Sequence, residues 1–281
     1  MRLFILNLIF LISTSSYASS LRISPEELSK SLDSNIKIVD VREKNYYLQS
    51  HIQGAINFPV SESYLHKNVN GQIAKPEKIQ SILRKLGLTT KSNIIIYDDG
   101  HLVDAARVFW TFEVYGLKNI KILDHGFDYW TSKKYPVSKN VPTIIPSNYV
   151  TTINQKRLSS KFTTQLAIHN NSTIVVDARP HSSYIGETSV AKRFGHILSA
   201  INIPFDYNIE KDSDFYKLKP ITELKKLYSD IPVDKKIIIY CKIGRVSSTN
   251  YFALRELGHD VSNYDASWRE WGNDDSLPIS K

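Results

Sequence analysis

The sequence lacks several features that define common classes of protein. It has 281 residues but a single cysteine, so no disulfide bridge can form within the chain. Beyond the apolar run at residues 3–12, no stretch approaches the roughly 18 apolar residues that a membrane-spanning helix needs. The formal net charge is +8, but the lysines and arginines are scattered, which disfavours a nucleic-acid-binding surface. We therefore expect a protein with an ordinary hydrophobic core and no nucleic-acid partner.

The N-terminus has the pattern of a secretory signal. Arg2 supplies a positive start, residues 3–12 are apolar, and small residues up to Ala18 suit cleavage after that position. Residues 1–18 are therefore predicted to be a signal peptide, with an uncleaved membrane anchor as the alternative. We expect a periplasmic or secreted protein that has no stable membrane association after cleavage. The lack of a cysteine at the cleavage site excludes lipid attachment there.

An internal repeat is the most informative feature of the remaining chain. Ile-Val-Asp-Val-Arg at residues 38–42 returns as Val-Val-Asp-Ala-Arg at residues 175–179, and Ile-Ile-Ile-Tyr at residues 94–97 returns unchanged at residues 237–240. The spacing between matched segments is longer in the second copy, which locates an insertion near residues 185–193. Two periods of this length indicate two domains rather than a solenoid array.

The domain boundaries follow from composition. Hydrophobic residues make up 42% of the chain, which is enough for two ordinary cores. We predict a first domain at residues 21–133 and a second domain at residues 153–281. The intervening residues 134–152 are rich in proline, serine and asparagine, so we interpret them as a linker.

Within each copy, short β-branched runs alternate with helix-like segments. This alternation predicts an α/β fold in which each domain has a mainly parallel sheet with helices on both faces. Ligands bind such sheets beyond the carboxyl ends of the strands. The predicted strands are residues 36–41, 94–97, 120–123, 173–177, 237–240 and 261–264. The predicted helices are residues 25–32, 76–86, 103–115, 159–169, 222–228 and 247–257.

The loop that begins at Cys241 is the strongest functional signal. A β-branched strand stops there, and a turn containing Gly244 and the basic residues Lys242 and Arg245 leads to a helix predicted to begin near Ser247. Inward-pointing N–H groups in such a turn, and the start of the helix, stabilise anions. The loop is therefore expected to favour a reactive thiolate. The alternative is a small apolar core cysteine, but a core residue does not need flanking charges and a glycine.

Taken together, these motifs resemble the tandem-domain rhodanese family of sulfurtransferases. The matching elements are the Val-Asp-x-Arg strand ends, the Gly-His-Ile-x-x-Ala-x-Asn-x-Pro segment at residues 195–204, the strand leading into Cys241, and the tail at residues 265–273. The resemblance implies two rhodanese-like α/β domains and a catalytic cysteine only in the second. Because Asp98 stands at the equivalent position of the first copy, that domain is expected to be catalytically inactive.

The resemblance also implies a mechanism in which Cys241 carries sulfur as a persulfide. A small anionic donor gives its outer sulfur to the thiolate, and a thiol or cyanide then accepts that sulfur. Neither a cofactor nor a metal is called for. For Ser247 and Ser248, capping of the following helix is the favoured role. The loop residues expected to bind the donor are Lys242, Gly244, Arg245, Val246 and Ser247.

Three residues outside the loop are further candidates for binding substrate. Asp177 and Arg179 match family positions near the active site, although a role in bracing the loops is the alternative. Thiosulfate-type members often have a binding arginine where this chain has Ser183, so Arg193 in the insertion is the candidate to supply that charge. His51 and His196 recur at the same place in both copies, including the copy without a cysteine, which favours a structural role for both.

The loop composition separates the functional alternatives. Relatives that use 3-mercaptopyruvate have small, uncharged residues directly after the cysteine and a serine two positions on, whereas this chain has Lys242 and Ile243. Thiosulfate is therefore the favoured donor, with 3-mercaptopyruvate as the alternative. A phosphatase loop would need arginine where Ser247 stands. A periplasmic persulfide carrier or binding module without turnover is the remaining alternative.

Overall fold

The computed structural model describes residues 20–32, 35–66 and 70–281. The predicted signal peptide at residues 1–18 lies outside these ranges. Within them, no helix is both long enough and apolar enough to cross a membrane.

The first copy contains nine strands and five α-helices among its described residues. The strands are β1 (Arg22–Ile23), β2 (Ile36–Asp40), β3 (His51–Ile52), β4 (Ile56–Asn57), β5 (Tyr64–His66), β6 (Asn70–Ile73), β7 (Asn93–Tyr97), β8 (Ile120–Leu123) and β9 (Val137–Ser138). The helices are α1 (Pro25–Ser29), α2 (Lys44–Gln49), α3 (Pro76–Lys85), α4 (Val103–Val114) and α5 (Gly126–Ser132).

The second copy repeats this order of elements. Its strands are β10 (Leu158–Ser159), β11 (Thr173–Asp177), β12 (His196–Ile197), β13 (Ile201–Asn202), β14 (Ile209–Asp212), β15 (Phe215–Leu218), β16 (Lys236–Tyr240), β17 (Asp260–Tyr264) and β18 (Ile279–Ser280). Its helices are α6 (Lys161–Ala167), α7 (His181–Tyr184), α8 (Ile221–Leu227), α9 (Ser247–Glu256) and α10 (Ser267–Trp271).

Each copy forms a five-stranded parallel sheet, which confirms the predicted fold class. The strand orders, β1-β8-β7-β2-β4 and β10-β17-β16-β11-β13, are equivalent. The central strands β7 and β16 are isoleucine runs, whose branched side chains favour extended backbone and are buried on both faces. The predicted strands and helices are all present, with ends shifted by at most three residues.

The register of the second sheet positions the cysteine loop. Asp177 and Tyr240 are paired at the ends of β11 and β16. Cys241 therefore begins the loop at the carboxyl edge of the sheet, next to its central strand, where ligands bind in parallel sheets.

The predicted linker packs along the first domain. Val137–Ser138 forms the strand β9, which pairs with His51–Ile52, so these two residues belong to the first domain. Tyr149 is buried, and its carbonyl accepts a hydrogen bond of 2.7 Å from the Arg84 Nε group. A buried tyrosine and a satisfied carbonyl fix this segment, although proline spacing alone indicates only an extended chain.

The two domains share one core across the helices that follow the two equivalent loops. Helices α4 and α9 pack against each other, and the Phe109 and Phe252 rings meet edge to face, with centroids 5.0 Å apart. Phe109 and Phe252 occupy equivalent positions of the repeat, because 252 − 109 and 241 − 98 both equal 143. Equivalent residues of the two helices thus meet at the domain interface, and α9 begins directly after the Cys241 loop.

Two glutamates at equivalent positions of the repeat accept hydrogen bonds across the same interface. Glu113 on α4 accepts a hydrogen bond of 2.9 Å from Arg255 of the second domain. Its counterpart Glu256 on α9 accepts bonds from Leu21 N and Arg22 Nε of the first domain, at 2.7 and 3.2 Å. These charged pairs give the two domains a defined relative position.

Candidate active site

Cys241 is buried at the start of the loop, and its backbone is held by the segment after β17. Its N–H donates to Ser267 Oγ at 3.2 Å, and its carbonyl accepts from Trp268 N at 3.0 Å. Because these bonds fix the backbone on both sides of Cα, the thiol is held in one direction. Positioning by secondary structure on both sides is what a nucleophile needs for catalysis.

The loop directs hydrogen-bond donors at the cysteine sulfur. The Gly244 N–H group lies 3.1 Å from Cys241 Sγ and donates to it. The Ser247 hydroxyl lies 3.4 Å from the same sulfur and 2.9 Å from Asn263 Oδ1, so its single proton serves one of the two. Donors in this arrangement stabilise negative charge on sulfur, whether as a thiolate or as a persulfide.

Gly244 is required at its position by geometry. Its φ angle is 79°, in the left-handed region, and a Cβ there would lie 2.3 Å from the Asp265 carbonyl oxygen. Any side chain would therefore push the loop away from Asp265 and move the Gly244 N–H group off the sulfur. The predicted importance of this glycine thus has a structural reason.

The two serines do not cap the following helix. Val246 occupies the N-cap of α9, and no side-chain cap bond is present there. Ser247 points instead to Cys241 and Asn263, and the Ser248 hydroxyl reaches the Gly244 carbonyl at 3.4 Å. The prediction of capping is wrong, because both hydroxyls are turned inward to the loop.

The two basic side chains of the loop have different surroundings. Lys242 is exposed, and no ion pair to it is found within the described ranges. Arg245 crosses the domain interface, and its Nε and Nη2 groups donate to Asp104 Oδ1 at 2.8 and 2.6 Å. The loop therefore offers one unpaired cation and one that already has a carboxylate partner.

Arg107 of the first domain supports the loop, and sequence reasoning missed it. Its fully buried guanidinium donates to the Gly244 carbonyl at 2.8 Å, to Asp265 Oδ1 at 3.2 Å and to the Gly71 carbonyl. Gly71, on the β5–β6 hairpin, lies so close to the Ile243 carbonyl that no Cβ would fit. The available signal was a lone arginine inside the apolar helix α4.

Tyr64, on the same hairpin, is a further residue that the sequence did not identify. The Arg107 guanidinium lies 4.8 Å from the centre of its ring. Burial raises the pKa of Tyr64, while the charges of Arg107 and Arg245 lower it. Its buried hydroxyl has no hydrogen-bond partner in the described part of the chain. A buried donor without a partner beside the loop is available to a bound ligand.

Asp177 and Arg179 form a buried ion pair with each other instead of the predicted contact with substrate. The Arg179 guanidinium binds Asp177 in a fork, with bonds of 2.9 and 2.6 Å, and also donates to the Gly195 carbonyl. The Tyr240 hydroxyl donates to Asp177 at 2.6 Å, and the guanidinium lies 4.4 Å from the Trp268 ring centre. Since both charged residues are at most 1% exposed, the structure supports the bracing alternative.

The first copy contains the same brace without a cysteine. Arg42 binds Asp40 in a fork, and the Tyr97 hydroxyl donates to Asp40 at 2.7 Å. A constellation that persists where there is no nucleophile serves the fold. It joins the end of the second strand to the end of the central strand.

Family comparison agrees with this duplicated architecture. The rhodanese-like domain family matches residues 24–133 and again residues 163–274. The chain belongs to the rhodanese family. It is a sulfurtransferase of that family.

Individual relatives span nearly the whole rhodanese chain. A protein of Haloferax volcanii, provisionally named thiosulfate sulfurtransferase, is 31% identical over 96% of this chain and 99% of its own length. The sulfur carrier protein TtuD of Thermus thermophilus is 29% identical over 89% and 92%. The crystal structure of SseA from Escherichia coli, presented as a 3-mercaptopyruvate sulfotransferase, superposes with a TM-score of 0.78 at 25% identity and covers 89% of this chain and 99% of SseA.

Arg193 does not supply the charge that Ser183 lacks. Its guanidinium donates to the carbonyls of Leu277 and Trp271, both at 2.7 Å, and to that of Asp274. These three bonds tie the insertion to the C-terminal segment of the rhodanese. The prediction that Arg193 binds the donor is therefore not supported, because both terminal nitrogens of its guanidinium donate to backbone carbonyls and its Nε lies 3.8 Å from the Asp275 carboxylate.

The repeated histidines have structural contacts, as expected. His51 stacks on Tyr47 and lies 2.8 Å from its carbonyl, and His196 stacks on Tyr184 and lies 2.9 Å from its carbonyl.

In residues 20–32, 35–66 and 70–281, no three His, Cys, Asp or Glu side chains are grouped to hold a metal ion.

Asp98 fills the first copy's loop where the second copy has its sulfur. Its carboxylate accepts from Gly100 N at 2.9 Å and from Ala105 N at 3.2 Å. Burial raises the pKa of Asp98 to about 7, and the negative charges of Asp99 and Asp104 contribute. The equivalent loop of the first domain thus contains an acidic group that is costly to ionise in the folded state.

Replacing Asp98 with asparagine should stabilise the protein at neutral and alkaline pH but not near pH 4. Because folding raises this pKa from 3.8 to about 7, the cost of ionisation is absent below pH 3.8, grows with pH and is complete above pH 7. A shift of this size costs about 4 kcal/mol at pH 8. Loss of one charged acceptor offsets part of that gain, so we expect a net gain on the order of 2 kcal/mol at pH 8 and none near pH 4. Urea unfolding at both pH values measures the difference.

The same variant tests the silence of the first domain. Sulfur transfer by Asp98→Asn should stay within a few-fold of the unmodified protein, because its carboxylate is not part of the Cys241 loop. A loss of activity as severe as that of a Cys241 variant would show that the first copy takes part in the chemistry.

Proposed function

We propose that this rhodanese moves the outer sulfur of thiosulfate to a thiol or cyanide through a persulfide on Cys241. The Cys241 thiolate attacks the outer sulfur, the sulfur–sulfur bond of thiosulfate breaks, and sulfite leaves with the electron pair. The acceptor then attacks the terminal sulfur of the persulfide, and the thiolate is regenerated. Atoms and charges balance without a cofactor.

The observation that carries this proposal is the donor set at the sulfur. Gly244 N–H lies 3.1 Å from Sγ and donates to it. Negative charge is present on or near this sulfur in the thiolate, during attack and in the persulfide. A fixed N–H group stabilises all three without reorganisation. The unpaired Lys242 at the mouth of the loop adds attraction for an anionic donor.

Thiosulfate should be a better donor than 3-mercaptopyruvate. Thiosulfate brings two negative charges and needs no proton for its leaving group, which matches a loop with Lys242 and without a hydroxyl at Ile243. The measurement is kcat/KM for both donors with one common acceptor, together with mass spectrometry for one added sulfur on Cys241. A clear preference for 3-mercaptopyruvate would show that the loop charges are not used for the donor.

The variant Lys242→Gln tests whether the charge of Lys242 causes the preference for thiosulfate over 3-mercaptopyruvate. Loss of this exposed charge should weaken the binding of thiosulfate, a dianion, by about 1–3 kcal/mol, which is observed as a higher KM. The KM for the monoanion 3-mercaptopyruvate should rise less. Since Lys242 has no ion-pair partner in the described ranges, the change reports on the donor and not on a lost contact in the fold.

A persulfide carrier is the second candidate. Cys241 is fully buried, so a persulfide there is shielded from solvent and adventitious thiols, and the relative TtuD is named a sulfur carrier. A carrier would take up one sulfur per cysteine and hold it until a partner protein arrives. Repeated turnover with a small thiol or cyanide would exclude a role as carrier alone.

A further inference from the structure

The contact between Arg245 and Asp104 joins the catalytic loop to the inactive domain. Asp104 lies in the first turn of α4, and its Oδ1 atom accepts from both Nε and Nη2 of Arg245, at 2.8 and 2.6 Å. The two side chains are 45% and 27% exposed, so the pair lies at a solvent-accessible edge of the interface. An ion entering from solvent can therefore reach the same guanidinium.

Asp104 has no second cationic partner among its described contacts. Burial raises the pKa of Asp104, and Arg245 opposes that rise. The acidic groups that act on Asp104 are Asp99 and Glu43, and Asp98 is in turn affected by Asp99 and Asp104. The first-domain side of this contact therefore carries negative charge around the cation. Arg245 is thus the point at which this acidic part of the first domain meets the Cys241 loop.

We propose that Asp104 determines donor specificity by competing with the anionic donor for Arg245. This inference rests on the proposed function, in which the donor is a small anion. Asp104 lowers the net positive charge that Arg245 presents to an entering anion, and it also repels the donor directly. A dianion feels both effects about twice as strongly as a monoanion, so Asp104 restrains thiosulfate more than 3-mercaptopyruvate.

This role could not be assigned to the catalytic domain alone. Asp104 and Arg245 are 141 residues apart in the chain, and the inactive domain provides the carboxylate. Asp104 stands at the position equivalent to Ser247, whose hydroxyl faces the cysteine sulfur. The first copy thus has a charged group at a position where the second copy has a neutral one.

The test is Asp104→Asn, with Asp99→Asn as the matched control. Asp99 is exposed, and its side chain accepts a bond from His101 N but none from Arg245. Both variants remove one negative charge from the same region and keep the side-chain shape. We expect Asp104→Asn to lower KM for thiosulfate roughly five- to tenfold, with a smaller fall for 3-mercaptopyruvate. Asp99→Asn should change either KM by less than about twofold.

A second background isolates the ion pair from the general field. In Arg245→Gln, the further change Asp104→Asn should lower KM for thiosulfate much less than it does in the unmodified protein, because only the direct repulsion by Asp104 remains. An unchanged effect of Asp104→Asn in that background would overturn the proposal. So would a rise in KM on Asp104→Asn, since it would mean that Asp104 holds Arg245 in place for the donor.

Binding measured without turnover separates this inference from the proposed function. In a Cys241→Ser background, calorimetry with thiosulfate and with sulfite reports anion affinity when no sulfur can be transferred. Tighter binding in Asp104→Asn supports competition even if transfer from thiosulfate is absent, which would count against the proposed function alone. Equal affinities for all variants would overturn the competition itself.

Discussion

Replacing Cys241 with serine should abolish sulfur transfer while the protein keeps its fold. Serine is nearly isosteric, and its oxygen can accept the Gly244 N–H that now lies 3.1 Å from the sulfur. Its hydroxyl is far less ionised than a thiol and cannot carry a persulfide. We expect kcat/KM to fall by at least about 1000-fold, as for loss of a covalent nucleophile.

Three measurements accompany that variant. Circular dichroism and thermal unfolding should differ little from the unmodified protein, because the backbone bonds to Ser267 and Trp268 remain. Mass spectrometry after incubation with thiosulfate should show no added sulfur. Transfer above a trace by Cys241→Ser would contradict the covalent mechanism, since the sequence has no second cysteine.

The sheet architecture and the cysteine loop could be predicted because their signals are local. Isoleucine runs such as Ile94–Ile96 identify buried strands without knowledge of the fold, and the repeat shows that the same unit occurs twice. The change from strand to glycine-containing turn marks Cys241 in the same way. Asp98 at the equivalent position then indicates which copy is silent, since a carboxylate cannot form a persulfide.

The roles of charged residues outside the loop could not be predicted, because they depend on distant contacts. Asp177 and Arg179 have the composition of a binding pair, and only their burial shows that they bind each other. Arg107 and its acceptors Gly244 and Asp265 are separated by 137 and 158 positions. No local pattern encodes which carbonyl or carboxylate meets a guanidinium across an interface of two domains.

Of the variants proposed for this protein, Arg107→Met should lower the free energy of unfolding the most. Methionine retains the apolar part of the side chain, but it leaves the Asp265 carboxylate and the carbonyls of Gly71 and Gly244 without their donor. Asp265 is only 8% exposed. Its remaining hydrogen bond comes from the neutral Ile73 N–H group, which does not replace the positive charge of Arg107. Removing one member of such a buried pair typically costs about 3–5 kcal/mol.

The loss should depend on pH in a direction that Asp265 sets. Burial raises the pKa of Asp265 above its usual value, and Arg107 lowers it. Without Arg107 the folded-state pKa rises further, so the variant pays for ionisation at high pH and recovers stability as the pH falls and Asp265 takes up a proton. Urea unfolding of Arg107→Met should therefore show a larger deficit at pH 8 than at pH 5.

A double variant decides whether the unpaired carboxylate is the cause. Asp265→Asn keeps an acceptor for Ile73 N but removes the charge, so adding it to Arg107→Met should restore part of the lost stability and most of the pH dependence. Activity gives an independent readout, because release of the Gly244 carbonyl frees the loop that directs its N–H group at Cys241. If Arg107→Met lost less than about 1 kcal/mol, or if the deficit were the same at both pH values, the first domain would not be the support that holds the catalytic loop.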